Sequence, residues 1–328
     1  MSDIAARPHL RTRPGLRLSA TTVIAPLAAV AFVVTALATG EQAQLSWTGI
    51  SGLLERMVAL GIVSIGQTLV ILAGSIDLSV AHLISVAAVL SSWVMQGDPG
   101  RILEAVAAVF AVCAVVGLVN GLLVARLAVN PLIATLGTGL ILKGLLSTSF
   151  DNFAGAVAPQ FQFFAYGSIG PLPISLLTLL ILALAASLML RRTVFGAHLY
   201  AVGGNAAGAR LAGIRTERVV VAGHILCSLL AGVTGLYLAA RLGSGAPWVG
   251  KDGLYDLESI AVAVIGGTFL TGGRGGVAGT LAGVFLFAVL DSAFTMIGID
   301  PFFQQILRGV IVVAAVAAYT FRTKAHVG

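Results

Sequence analysis

The chain has 328 residues, of which 58% are hydrophobic and only 10% charged. A soluble domain carries about a quarter charged residues and cannot hide so much apolar surface, so a water-soluble fold is excluded and an all-α polytopic membrane protein is expected. The net charge of +6 is spread over tails and short loops and forms no face, which argues against nucleic acid as a partner.

A basic tail over residues 1–20, with Arg7, Arg11, Arg13 and Arg17, precedes a first apolar run at 21–40. Ala36-Leu37-Ala38 resembles a signal cleavage site, but the run is about 18 residues against about 7–15 for a secretory leader. An uncleaved first span is therefore expected. Nine further spans are expected at 56–74, 79–97, 102–125, 132–150, 172–190, 218–240, 255–270, 276–297 and 303–321, since about 18 apolar residues suffice to cross the hydrocarbon core. Residues 21–321 then form one transmembrane domain, and 322–328 a short tail. Cys113 and Cys227 each sit inside an apolar run and imply neither a disulfide nor a metal site.

With the N-terminus inside, the cytoplasmic segments collect the four tail arginines together with Arg126, Arg191, Arg192, Arg210, Arg215, Arg218, Arg274, Arg322 and Lys324. The outer segments hold only Arg56, Arg101, Arg241 and Lys251. This bias fits the positive-inside rule for an even number of spans with both ends cytoplasmic. The longer outer loop, 151–171, carries Phe153, Phe161, Phe163, Phe164 and Tyr166, aromatics suited to the headgroup level. The longer inner loop is 191–217.

Three segments interrupt the apolar pattern. In the first, Gly74-Ser75-Ile76-Asp77-Leu78-Ser79-Val80, the glycine can end one helix and Asp77 can cap the next. An ionisable residue between spans also fits a pathway lining. In the inner loop, Gly203-Gly204 permits a sharp turn, Asn205 is a favoured N-cap, 206–212 reads as a short helix, and Gly213 can stop it. Ala207, Leu211 and Ile214 share one side of that helix. A helix this short is marginal in water, so it rests either on the protein's own inner ends or in a cleft of another protein. The third segment is Gly266-Gly267-Thr268-Phe269-Leu270-Thr271-Gly272-Gly273-Arg274-Gly275-Gly276, continuing to Gly279 and Gly283. Glycines four apart suit close helix packing, as do Gly117 and Gly121, while irregular backbone at membrane depth can line a cavity.

Val70-Ile71-Leu72-Ala73-Gly74 is faintly echoed by Val264-Ile265-Gly266-Gly267. Gln67, Asn120, Lys143, Asp291, Gln304 and Arg308 are polar residues within spans, and Asp291 and Arg308 are candidates for an ion pair. His82 and His224 lack partners at ligand spacing, so no metal is expected. Gly245-Ala246-Pro247-Trp248-Val249-Gly250-Lys251-Asp252 nearly matches a P-loop, but Asp replaces the hydroxyl residue that holds magnesium and no buried strand precedes it. No nucleotide site of the chain's own is expected.

Over about Leu60 to Ala315 these motifs resemble the ribose-type (monosaccharide) permeases of bacterial ABC importers. The marks are the segment Gly74 to Val80, similar to GGIDLSVG, and Asn120-Gly121-Leu122-Leu123 followed by Pro131-Leu132-Ile133-Ala134-Thr135-Leu136-Gly137. To these are added the loop Ala201 to Ile214 and the closing block from Asp256 through Gly283. Ser75 stands where a second glycine is usual, Ala81-His82 where glycine is usual, Ala197-His198 where Gly-Arg is common, and Gly208 where alanine is common. The resemblance implies a transport subunit rather than an enzyme, sited in the bacterial inner membrane. It also implies a second permease copy in a homodimer, surrounding membrane lipid, a cytoplasmic ATPase partner that binds ATP and Mg, and a periplasmic or lipid-anchored solute-binding protein. No cofactor is then expected on this chain. The resemblance makes the inner loop a coupling helix, mapped onto Gly203, Gly204, Asn205, Ala207, Gly208, Arg210, Leu211 and Gly213. Candidate pathway residues are Gln67, Asp77, Ser79, Asn120, Thr268, Gly272 and Gly273. The expected solute is ribose or another pentose, hexose or polyol. The rival is an autonomous transporter driven by an ion gradient, against which the scarcity of intramembrane carboxylates argues.

Overall fold

A computed structural model describes residues 20–324; the four tail arginines and the last residues of the C-terminal tail lie outside them. The described chain is built from helices α1 (Ala20–Ala38), α2 (Trp47–Leu72), α3 (Val80–Met95), α4 (Ile102–Ala125), α5 (Pro131–Ser149), α6 (Phe163–Tyr166), α7 (Ile174–Arg192), α8 (Val194–Gly204), α9 (Ala206–Leu211), α10 (Thr216–Leu242), α11 (Val249–Asp252), α12 (Tyr255–Ile265), α13 (Val277–Ile297) and α14 (Pro301–Lys324). A small antiparallel hairpin, β1 (Ser168–Ile169) and β2 (Leu172–Pro173), sits before α7.

Among the described residues, six helical stretches are long and apolar enough to cross a membrane: Trp47–Leu72, Pro99–Ala125, Pro131–Ser149, Ile174–Arg192, Thr216–Leu242 and Val277–Ile297. The expectation of ten spans is therefore met in part. The second span begins at Trp47 rather than 56, because Ser46 caps it by accepting from the Gly49 amide and the helix runs on through Glu55 and Arg56. At 26 residues it is about 39 Å long, against a hydrocarbon core of about 30 Å. The span expected at 255–270 is instead the 11-residue α12, about 17 Å long and too short to cross alone.

Helix α2 lies at the centre, packed on both α10 and α13. α10 packs on α2, α3 and α4, and α13 packs on α1, α2 and α12. The most apolar stretch of α2 is 83% buried and that of Pro99–Ala125 only 28%, so α2 is interior and α4 presents a face to lipid. α5 and α7 likewise turn outward stripes of Leu132, Leu136 and Leu140, and of Leu180, Leu184 and Leu188. Apolar side chains recurring every four residues on an exposed helix face suit a hydrocarbon surround. Gly117 and Gly121 bring α4 against α10. A Cβ at Gly117 would lie 2.7 Å from the Ile225 Cα, and one at Gly121 2.7 Å from the Val221 Cα. The expected packing role of these glycines is what the structure displays.

The loop expected at 151–171 is ordered by α6, the hairpin and side-chain anchors. The Tyr166 hydroxyl donates to the Arg241 carbonyl at 2.6 Å, Phe153 meets Trp248 edge-on at 5.3 Å, and Phe164 meets Tyr237 edge-on at 6.0 Å. The P-loop-like segment 245–252 contains the single-turn helix α11, and Lys251 is ion-paired with Asp256 at 2.8 Å. Arg308 of α14 lies 2.8 Å from Asp291 of α13, the pair expected from the sequence, and also 3.2 Å from Glu258 of α12.

Candidate functional site

Two helix breaks and the inner loop meet in one place. At the first break, α2 ends in a Schellman motif. Gly74 has φ +79°, its amide donates to the Ile71 carbonyl, and the Ser75 amide donates to the Val70 carbonyl. At the second break α12 ends the same way. Gly267 has φ +92°, its amide donates to the Val264 carbonyl, and the Thr268 amide donates to the Ala263 carbonyl. The faint echo between 70–74 and 264–267 thus corresponds to one terminating geometry used twice. A 2.7 Å hydroxyl contact between Thr68 and Thr280 ties α2 to α13 nearby.

Beyond Gly74 the chain enters a buried polar turn. Asp77 Oδ1 accepts from the Ser79 amide at 2.9 Å and from the Ser79 hydroxyl at 2.6 Å. Asp77 Oδ2 lies 3.3 Å from His224 Nδ1 of α10, and His224 Nε2 lies 2.9 Å from the Ser75 hydroxyl. A carboxylate only accepts, so Nδ1 carries the donated proton. Asn120 of α4 donates to Ser79 Oγ at 2.9 Å, and the Thr135 hydroxyl of α5 accepts from the Leu78 amide at 3.0 Å. The Gln67 amide of α2 pairs with the Asp77 main chain, its Nε2 toward the carbonyl at 3.1 Å and its Oε1 toward the amide at 3.3 Å. Gln67, Asp77, Ser79, Asn120, Thr135 and His224 are all fully buried. Each group would be costly alone at this depth, and mutual hydrogen bonding offsets that cost.

Asp77 does not cap α3 as expected. It closes a turn onto the residue two positions on, and the N-cap of α3 is Ser79. Ser75, Thr135 and His224 were missed in the sequence. For His224 the signal was present, an imidazole eight residues inside an otherwise apolar span. It went unread because its partners lie 147 and 149 residues away in the chain.

The second break packs backbone to backbone on the first. The Gly273 amide donates to the Leu72 carbonyl at 3.0 Å. A Cβ at Gly272 would lie 2.9 Å from the Cα atoms of both Gly203 and Gly74, and one at Gly273 would lie 2.6 Å from the Cα of Gly204. A Cβ at Gly203 would collide with the Leu72 carbonyl oxygen and come within 2.6 Å of the Gly273 amide nitrogen. Gly272 and Gly273 are also left-handed, at φ +86° and +71°. Thr268 is fully buried at this loop, and the Tyr200 hydroxyl of α8 donates to the Gly275 carbonyl at 3.0 Å. Along α13, Gly279 and Gly283 admit the main chain of Gly266 and Val262, which is the close packing expected of their spacing.

The inner loop departs from expectation in one respect. Gly203 and Gly204 form no turn. They are the last residues of α8, a helix started by the Thr193 cap, and the bare backbone of Gly203 makes room for the two breaks. Asn205 then caps α9, its Oδ1 accepting from the Gly208 amide at 2.9 Å, and Gly213 is left-handed at φ +82° as expected. The stripe of Ala207, Leu211 and Ile214 is divided. Gly213 reverses the chain, so Ile214 packs toward the core while Ala207 and Arg210 are exposed and Leu211 is 92% exposed. An apolar side chain exposed to that degree on a capped turn is a knob without a socket among the described residues.

A family model described as "Branched-chain amino acid transport system / permease component" matches residues 49–316. The chain is 35% identical over 273 residues to the ribose import permease protein RbsC of Escherichia coli (strain K12), covering 80% of this chain and 83% of that protein. It is 33% identical over 292 residues to the galactose/methyl galactoside import permease protein MglC of Haemophilus influenzae, covering 83% and 86%. It is also 33% identical over 278 residues to RbsC of Bacillus subtilis, covering 81% and 83%. No solved structure matches the chain.

Proposed function

The chain belongs to the branched-chain amino acid transport system / permease component family, and on that premise we propose that it is the membrane subunit of an ATP-driven importer of a monosaccharide, ribose or a related pentose, hexose or polyol. The family description speaks of amino acids, but the ribose and galactose permeases it resembles over more than 80% of their length point to a sugar. In this reading both ends are cytoplasmic and the chain crosses the membrane ten times, α12 crossing only together with the glycine-rich loop 266–276 that follows it. It works as a pair of copies, receives solute from an external binding protein, and takes its energy from a cytoplasmic ATPase that binds ATP and Mg.

The observation that carries the reading is the position of α9. This helix, with Ala207, Arg210 and Leu211 exposed, is separated by Asn205 alone from Gly203 and Gly204, and those glycines lie against the two helix breaks. A partner that seats Leu211 and shifts with nucleotide would move the end of α8. Because the junction is backbone on backbone with no flexible side chain between, the turns after α2 and α12 must move with it. The buried network of Gln67, Asp77, Ser79, Asn120 and His224 then serves as the rigid frame that carries this motion into α3, α4 and α10. Solute passes elsewhere, and Thr268, Gly272 and Gly273 belong to the moving junction.

The test is reconstitution in liposomes with the cognate ATPase and binding protein. ATP-dependent uptake of labelled ribose or galactose is expected, with none by the chain alone. Uptake by the chain alone under an ion gradient would replace this reading with that of a secondary transporter.

A further inference from the structure

Beside the close crossing of α4 and α10 lies a cavity of about 590 Å³ with two chemically distinct parts. One wall is apolar, with Leu118 and Leu122 from α4 and Ile225 from α10. The other part is cationic, with Arg126 at the end of α4 and Arg210, Arg215 and Arg218 around the start of α10. Among the described residues, Glu217 is the one acidic side chain lining it. Its pairing with Arg126 spans 3.8 Å between side chains 53% and 69% exposed, too loose to neutralise the site. Arg210 is tethered by a 3.4 Å hydrogen bond to the Thr216 hydroxyl. All four arginines are exposed, and Leu118 is 41% exposed, so the cavity is open to both an aqueous and a hydrocarbon neighbour.

We propose that this cleft binds an anionic phospholipid of the inner leaflet, the phosphate held by the Arg126, Arg215 and Arg218 guanidiniums and an acyl chain laid along Leu118, Leu122 and Ile225. Charge complementarity selects the occupant. Guanidiniums match phosphate oxygens in paired hydrogen bonds, and basic pockets between spans at the cytoplasmic side suit anionic headgroups. A free phosphate would leave the apolar wall uncovered, whereas a lipid covers both parts. The proposal rests on the transport reading only for the side of the membrane on which the cleft lies. Since Arg210 belongs to α9, a lipid seated here touches the element proposed to dock the ATPase.

The experiment needs no ATPase, so its failure is separable from failure of the transport reading. The purified chain is equilibrated with equal amounts of phosphatidylglycerol and phosphatidylcholine in detergent, and retained lipid is counted by native mass spectrometry. Phosphatidylglycerol should be retained about tenfold over phosphatidylcholine and should resist competition by inorganic phosphate. The preference should vanish in Arg126→Gln/Arg215→Gln/Arg218→Gln and in the double variant Arg126→Gln/Arg218→Gln, and persist in Arg191→Gln/Arg192→Gln, which removes the same two charges as the double variant but outside the cleft. Leu122→Trp, which fills the wall and leaves the arginines intact, should also reduce retention. Equal retention of both lipids by the parent, retention of phosphatidylglycerol by the triple variant, or displacement by inorganic phosphate would overturn the proposal.

Discussion

The amide of Gly273 donates to the carbonyl of Leu72 at 3.0 Å, joining the loop before α13 to the last turn of α2. Gly203 lies beside that bond with no space for a side chain. Through it the cap of a small solvent-exposed helix is in mechanical contact with two helix termini inside the bundle.

A single methyl group tests that contact. Gly203→Ala places a Cβ against the Leu72 carbonyl and the Gly273 amide, whereas nothing lies within 4 Å of a Cβ at Gly204. Both residues are helical, so alanine is favoured at each by about 1 kcal/mol on propensity alone. Gly204→Ala should leave solute uptake and thermal stability near the parent. Gly203→Ala should cut uptake at least tenfold. Equal uptake by the two variants would mean that the junction transmits nothing.

The buried turn should behave as structure. Asp77→Ala leaves the His224 Nδ1–H and both Ser79 donors without an acceptor in a fully buried site. A loss of about 2–5 kcal/mol is expected, measured as a large drop in the melting temperature of the detergent-purified protein. Retained stability with selectively weakened solute transport would instead assign Asp77 to the pathway.

Close approach of α4 and α10 predicts a second matched pair. Gly121→Ala sets a Cβ 2.7 Å from the Val221 Cα, while a Cβ at Gly144 of α5 meets nothing within 4 Å. Overpacking of a close crossing costs about 1–3 kcal/mol. Gly121→Ala should therefore lower the melting temperature by several degrees, and Gly144→Ala should leave it unchanged or raise it.

Much of this was legible in the sequence because it is local. Residues 205–213 carry their own instructions, an Asn cap and a left-handed glycine, and the helix formed between them within one residue of expectation. Gly117 and Gly121 announced a close crossing by spacing alone. Span boundaries were less legible. Glu55 and Arg56 read as an end, whereas Ser46 caps a helix that runs straight through them. Gly203-Gly204 read as a turn because paired glycines usually mean freedom, and here they mean proximity to Leu72 and Gly273, 131 and 70 residues distant. The partners of His224 were illegible for the same reason, since nothing near position 224 indicates that Asp77 and Ser75 will meet it.

If α9 is where an ATPase drives this permease, docking depends on its exposed side chains. The chain and its ATPase are co-purified with and without Arg210→Glu and Leu211→Asp, substitutions on exposed side chains that leave every span untouched. The account predicts a stable complex with the parent, and at least tenfold less ATPase on variants that elute as folded protein. Undiminished ATPase on folded Leu211→Asp would contradict it and reduce α9 to a loop ornament.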